Sequence, residues 1–303
     1  MKAVHDKSGE YPDVINSYYD LESYSEDDGV SVLFQGYNSS KPSEKRDKFF
    51  SYRNRAYLNL ESPCAFCSTS TFLEEQKFFT HTYTICPYTL KWLNEKIGTK
   101  GEAIAFPYSE NCFSHLDLST KDTASMYMGT IMCEEHESIL KAMSSHSHFA
   151  TSLVQHPMAT HVGLSSFQKW NLLARVKCSV IMNLCPITDH HKIWIKKNEG
   201  FENHEALNNI DENFVPQFKP RVIESMVCNV VCLVKKDKWN VIENWFTPGE
   251  DFVYWETYDE LQELIDDIDS NFENYITVTE SARKKVEKFE IKNIINLIKK
   301  QLK

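Results

Sequence analysis

The feature that most constrains this chain is a repeated change of period. Short apolar runs alternate with polar stretches whose apolar residues recur at helical spacing. "VSVLFQGYN" (30–38) reads as a buried strand and "SEKRDKFFSYRNR" (43–55) as a helix after it. "AYLNLES" (56–62), "TYTICP" (82–87) and "EAIAFPYSE" (102–110) read as further strands, and "YTLKWLNEKIG" as a helix ended by Gly98. A second series opens near residue 120. "TASMYMGTIMCEEHESILKAMSS" gives a strand, a glycine turn at Gly129 and a helix over 134–144; "SFQKWNLLARVKCSVIMNLCP" gives a helix running into a strand at 178–184. Residues 188–218 are polar and rich in His and Asn, and are expected to form a long loop. "PRVIESMVCNVVCLV" (220–234) then offers a Pro-started helix of two turns, Asn229 at its end and a β-branched strand. A Pro248-Gly249 turn, another strand, the amphipathic "YDELQELIDDI" and a helix-prone tail follow. Strands and helices taking turns require parallel strands joined by crossovers, an α/β class.

At 303 residues, with 42% hydrophobic and 13% aromatic content, the chain is long for one core and predicts two domains. The formal charge of −10 argues against a general polyanion binder, whose affinity would come from basic residues neutralising phosphates. The start has no apolar signal core, and no run approaches the ~18 apolar residues of a membrane span, so a soluble, cytoplasmic protein is expected. The nine cysteines are odd in number, and Cys178, Cys228 and Cys232 lie inside apolar runs, which predicts buried thiols. Cys64-x-x-Cys67 has no second pair at zinc spacing, and neither His146/His148 nor His190/His191 has a partner at helical metal-ligand spacing. No metal is expected.

The block from Pro220 to residue 265, with Pro220-Arg221, Glu224 and then "VIENWFTPGEDFVYW", resembles the nucleotide-sugar half of GT-B glycosyltransferases of the spore-maturation, group 1 type. A weaker likeness extends back to Gly129. The resemblance implies two Rossmann-like domains facing a cleft: an acceptor-side domain at 1–118, a nucleotide-sugar domain at 119–280, and a C-terminal helix at 281–303 crossing back. It implies transfer of a sugar from a nucleoside diphosphate sugar, a UDP-sugar, to an acceptor hydroxyl, without metal or other cofactor. Glu224 would hold the ribose; Lys219, Arg221 and Lys177 would face the phosphates; the backbone at Gly129 would approach the diphosphate; Glu250 would lie near the sugar nucleotide. The physical logic agrees, since a diphosphate needs cations and helix N–H groups, and ribose hydroxyls need a carboxylate.

Two departures stand out. Asn229 replaces a family glycine, and Pro216 occupies the place of the first acid in the two-glutamate motif of retaining relatives, which points to inversion. An inverting enzyme needs a base for the acceptor hydroxyl, for which Glu61, His5 and Asp20 are the candidates. Asp267-Ile268-Asp269 matches the metal-binding letters of single-domain GT-A enzymes but falls on the amphipathic helix, where acids are ordinary. The composition is also similar to viral glycosyltransferases. The resemblance to glycosyltransferases implies a glycan acceptor, and the likeness to viral members implies 5-hydroxymethylcytosine in phage DNA in the host cytoplasm as the other expectation, with a flipped base and the basic residues 45–55 near phosphates. The bland readings stay open: Glu224 an exposed first-turn acid, Lys219 and Arg221 solvated charges, Gly129 a turn glycine, and the whole an inactive nucleotide-sugar-binding interaction protein.

Overall fold

Parallel pairing follows from the alternation. The computed structural model describes residues 1–6, 26–36, 50–60, 63, 72–197, 201–208 and 213–303. The chain divides into two compact units: Met1–Ser109 with Leu184–Phe218 and Phe289–Lys303, and Glu110–Asn183 with Lys219–Lys288.

In the first unit β1 (Lys2–Asp6), β2 (Ser31–Gly36), β3 (Asn54–Asn59) and β4 (His81–Thr84) form a parallel sheet in the order β1-β2-β3-β4. Helices α1 (Phe72–Gln76) and α2 (Pro87–Ile97) flank β4 in sequence. α2 starts with Pro at its first turn and ends on Gly98 at φ 66, whose N–H donates to the Asn94 carbonyl at 2.9 Å. One core cluster joins Val32, Phe34, Tyr57 and Phe79, with Tyr57 and Phe79 stacked at 4.8 Å.

Two expectations are corrected here. Residues 50–53 turn, and Asn54 and Arg55 belong to β3, so the helix over 43–55 does not extend to its proposed end. Arg55 is tolerated in the strand because its guanidinium donates to the carbonyls of Phe78 (2.7 Å) and Tyr52 (2.8 Å). Residues 102–110 form no strand either. Their start lies beside β4, with Thr82 N–H on the Lys100 carbonyl (2.7 Å) and Ile104 N–H on that of Thr84 (2.9 Å). The ladder breaks at Gly101, which has φ 125 and where a Cβ would stand 2.0 Å from the Thr82 oxygen.

The second unit opens with β5 (Thr123–Met128), α3 (Glu134–Met143), β6 (His148–Ser152), β7 (His161–Val162), α4 (Ser166–Ala174) and β8 (Val176–Ile181). The chain then leaves for the first unit as β9 (Leu184–Pro186), α5 (Asp189–Lys197) and β10 (Phe214–Pro216). This corrects the long loop over 188–218 and its place in the second domain. β9 pairs antiparallel with β10, Phe201 stacks on Trp92 at 4.9 Å, and the ring of buried His204 meets the Thr89 hydroxyl at 3.1 Å. Trp92, Leu93, Ile187, Ile195, Phe201, Leu207 and Val215 share one core, and that burial is why the segment folds with the first unit.

The second unit resumes with α6 (Pro220–Val227), β11 (Val231–Lys235), β12 (Val253–Trp255), α7 (Tyr258–Ser270) and α8 (Ile276–Val286); α9 (Ile291–Gln301) ends the chain in the first unit. Its six parallel strands run β12-β11-β8-β5-β6-β7. From β5 the chain steps outwards through β6 and β7, returns to β8 on the other side of β5, and steps outwards again. That is the doubly wound order of nucleotide-binding sheets, with its reversal between β5 and β8. β5 is buried at every position, and β8 and β11 at all but one, as strands covered on both faces must be. Among the described residues no helix is long and apolar enough to cross a membrane.

Candidate functional site

In doubly wound sheets a ligand sits outside the carboxyl ends of the strands where the order reverses. Here Gly129 directly follows β5, and Asn183 closes the segment after β8. The Asn183 Oδ1 accepts the Lys219 backbone N–H at 3.1 Å, which ties the point where the chain leaves the second unit to the point where it re-enters. Asn183 is 1% exposed and, among the described residues, its Nδ2 has no hydrogen-bond partner. A buried donor without a partner calls for a ligand or a water.

Arg221, two residues on, brings its guanidinium against Gly129. A Cβ there would lie 2.5 Å from Nη1, and the φ of 144° is one that side-chain-bearing residues rarely adopt. Gly129 is therefore needed for the close approach of a cation as well as for the turn. The Arg221 guanidinium also lies 6.0 Å from the centre of the Tyr127 ring, and among the described residues no carboxylate pairs with it. Buried His136 reports the local field: burial first, then the positive charges of Arg221 and Lys219, lower its pKa to about 4. Its Nδ1 accepts the Met132 N–H at 3.2 Å and fastens the loop between β5 and α3.

Two helices begin near these residues in sequence, and their charges differ. α3 carries Glu134, Glu135 and Glu137 in its first turn, whereas α6 has no acid there and is preceded by Lys219. The carboxyl end of α6 is held by cations: Lys121 donates to the Cys228 carbonyl at 2.9 Å and to that of Ala174 at 2.8 Å, and Arg283 donates to that of Val227 at 3.0 Å. The α6 dipole is thus satisfied at its negative end, and its positive end lies beside Arg221, a setting that favours negative charge. Burial lowers the Lys121 pKa to about 8. After the helix, Asn229 takes φ 52, the left-handed conformation that favours glycine and that Asn tolerates.

Glu224, one turn into α6, is 2% exposed, which overturns the exposed-acid reading. Its Oε1 accepts from Lys169 Nζ at 2.9 Å and from Trp170 Nε1 at 3.0 Å, both on α4. Arg221 and Glu224 are three apart, so they share a side of the helix. Lys169, Trp170, Asn183 and His136 were all missed in the sequence. Only Asn183 left a signal there, as the one polar residue closing "VIMN".

The other expected site residues are placed elsewhere. Lys177 is the second residue of β8, at its amino end, and its Nζ is bound by the Asp269 carboxylate (2.6 Å) and carbonyl (2.5 Å). That removes it from the phosphate set, and it accounts for Asp269 as an ion-pair partner. Asp267 accepts from Tyr275 and Asn271. Glu250 is exposed in the turn entering β12 at the amino edge of the sheet, 3.7 Å from Lys285; its neighbour Asp251 is the buried one, taking Thr247 N–H at 2.7 Å and Ser281 at 2.7 Å. Glu61 and Asp20 lie outside the described residues, as does Cys64-x-x-Cys67; His5 is described only by its backbone, opposite Gln35 in β1 and β2. Four of the seven described cysteines are buried, and among the described residues no group of acids, His and Cys could hold a metal.

Comparison with known proteins bears on the same region. A family described as "Glycosyl transferase-like" matches residues 203–292. Among curated proteins none matches the sequence. Sucrose-phosphate synthase from Thermosynechococcus elongatus superposes with a TM-score of 0.57 at 11% identity over 90% of this chain and 73% of that one. HepE from Anabaena, solved with UDP-glucose, gives 0.57 at 11% identity over 89% and 78%. A glycosyltransferase from Rickettsia africae gives 0.52 at 10% identity over 98% and 83%. The chain has the mixed α/β fold, built on parallel sheets, of the GT-B glycosyltransferases.

Proposed function

We propose that the chain is a glycosyltransferase that moves a sugar from a UDP-sugar to an acceptor hydroxyl, with its donor site at the strand-order reversal of the second unit. The observation that carries this reading is the convergence there of Gly129, Asn183, Lys219 and Arg221 at the start of a helix with no acid in its first turn. Lys219, Arg221 and the α6 N-terminus take the diphosphate, and Glu224, oriented by Lys169 and Trp170, takes the ribose. HepE, of the same fold, is solved with UDP and with UDP-glucose, which supports uridine as the donor base.

In the reaction the bond from the anomeric carbon to the diphosphate oxygen breaks as the acceptor oxygen bonds to that carbon. The electron pair leaves with UDP, where the two cations and the helix dipole stabilise it without a divalent metal. The acceptor proton passes to a base, which we assign to one of Glu61, His5 and Asp20 in the first unit. Pro216, in place of the acid of retaining relatives, supports inversion. The acceptor is a glycan hydroxyl, with 5-hydroxymethylcytosine the second choice.

Calorimetric titration with UDP, GDP, CMP and ADP, with Mg²⁺ and with EDTA, tests the site. UDP alone is expected to bind, equally in both, and the corresponding UDP-sugar to be hydrolysed slowly. Donor binding without turnover on any acceptor would favour the inactive binding protein, and no nucleotide binding at all would sink both.

A further inference from the structure

The first unit carries a charged pocket that the donor reading does not use. A half-open surface pocket of about 470 Å³ is lined chiefly by Arg53, Lys77, Phe79, His81, Ile97 and Lys100. It sits at the amino ends of β3 and β4, the edge opposite to the one where doubly wound sheets place nucleotides. Every ionisable group in the lining is basic, in a chain whose formal charge is −10. Arg53 and Lys100 are exposed, and Lys77 shares its charge with the exposed Glu74 at 2.6 Å. Burial, and then the neighbouring charge of Lys100, lower the His81 pKa. Behind the charges, Phe79 is buried and Ile97 half-buried, which supplies an apolar wall. Gly98 leaves the space beside it open, with nothing within 4 Å of where a Cβ would stand.

We propose that this pocket binds the phosphate group of a small phosphorylated organic molecule. Three cations offset by one carboxylate match a phosphate monoester, which carries about −1.5 to −2 charges at neutral pH. Arg53 supplies a planar fork of donors suited to phosphate oxygens, and the lysines supply point charges. The volume is that of a small-molecule site, and Phe79 and Ile97 give an organic body something to pack on. A half-open pocket of this size holds one such group, whereas a nucleic-acid backbone needs a track of cations. Arg53 belongs to the basic run 45–55 and so gives that run a role of its own.

The test is calorimetry on the full chain at fixed ionic strength, with a hexose 6-phosphate, the parent hexose, inorganic phosphate and a single-stranded oligonucleotide as probes. The variant is Arg53→Gln with Lys100→Gln, both exposed and so without consequence for folding. The hexose phosphate is expected to bind, the parent hexose not, and the double variant to bind it at least tenfold more weakly with UDP affinity unchanged. Inorganic phosphate binding as tightly as the hexose phosphate, with the same loss in the variant, supports the phosphate site and names the free ion as its occupant. Unchanged affinity in the variant, no binding of either phosphate at millimolar concentration, or variant-sensitive binding of the oligonucleotide alone would each overturn the proposal. Because UDP is followed in the same experiments, failure here is distinguishable from failure of the donor site.

Discussion

The two parallel sheets obey one construction rule and reach different ends. In the second unit the strand order reverses between β5 and β8, and the polar groups that suit a nucleotide gather at the carboxyl ends of those two strands. In the parallel sheet of the first unit the strands step one way only, β1-β2-β3-β4, and the charged pocket lies at the amino ends of β3 and β4. A reversal sends successive crossovers to opposite faces, so the loops on either side part and leave a crevice. Without a reversal the loops stay closed over one another, and a pocket must come from elsewhere. Here it forms where α2 ends at Gly98 and the chain turns back beside β4.

The largest test of this contrast is Glu224. In the second unit a buried carboxylate is paired to Lys169 and Trp170, whereas in the first the buried polar contact of Thr89 with His204 carries no charge. Removing one partner of a buried ion pair leaves the other uncompensated, a loss of about 3–5 kcal/mol. Lys169 keeps some exposure and can partly resolvate, so Glu224→Ala belongs at the lower end of that range and Glu224→Gln below it. Thr89→Val should lose about 1 kcal/mol. Urea denaturation measures all three, and equal losses for Glu224→Ala and Thr89→Val would erase the distinction.

Among the described residues each unit also contains one buried histidine whose pKa is lowered to about 4, His136 in the second and His204 in the first. Burial is the main cause for both; the charges of Arg221 and Lys219 add to it for His136 alone. The unfolded chain takes up these protons near pH 6.5 and the folded chain only near 4. Stability is therefore full above 6.5, falls as the pH drops towards 4, and levels off below. Each site contributes up to about 3 kcal/mol of that fall. Denaturation between pH 7 and pH 5 should show a fall of about 2 kcal/mol per histidine. His136→Asn should remove its share, and saturating UDP, by neutralising Arg221 and Lys219, should shift only the part due to His136.

Arg221 comes next. Losing a charge-assisted contact to phosphate weakens binding by about 1.5–3 kcal/mol, so Arg221→Ala should lower UDP affinity roughly ten- to a hundredfold with little change in stability. Gly129→Ala should do the same and also lose about 1–3 kcal/mol of stability, because the methyl meets the guanidinium at 2.5 Å in a disfavoured backbone conformation. UDP affinity that survives both would detach the strand reversal from donor binding.

What was legible in the sequence follows the same divide. β5, β8 and β11 are long apolar or β-branched runs, and α6 starts with Pro220, so the second unit announces itself locally. β6, "HFATS", carries no such pattern and is a strand because β5 offers it an edge to pair with. The segment 188–218 reads as a loop in isolation because its apolar residues are sparse; Ile195, Phe201, Leu207 and Val215 find their burial in a core shared with Trp92 and Leu93. Glu224 and Arg221 could be picked out from the Pro-Arg-x-x-Glu spacing, whereas Lys169 and Trp170 meet Glu224 only through the packing of α4 on α6. Lys177 was misread for a related reason: proximity to a strand says nothing about which end of the strand a residue occupies.

That misreading gives the smallest and most discriminating prediction. Lys177 and Asp269 form an ion pair at the amino edge of the second sheet, with side chains 20% and 39% exposed. Solvent screens such a pair, and its contribution is about 1 kcal/mol or less. Lys177→Met should therefore cost about that much stability, less still at high salt, and leave UDP affinity within twofold of the parent. A tenfold loss of UDP affinity in Lys177→Met, without a matching loss of stability, would bring the amino edge of the second sheet into donor binding. The contrast between the carboxyl-end site of one sheet and the amino-end pocket of the other would then have to be given up.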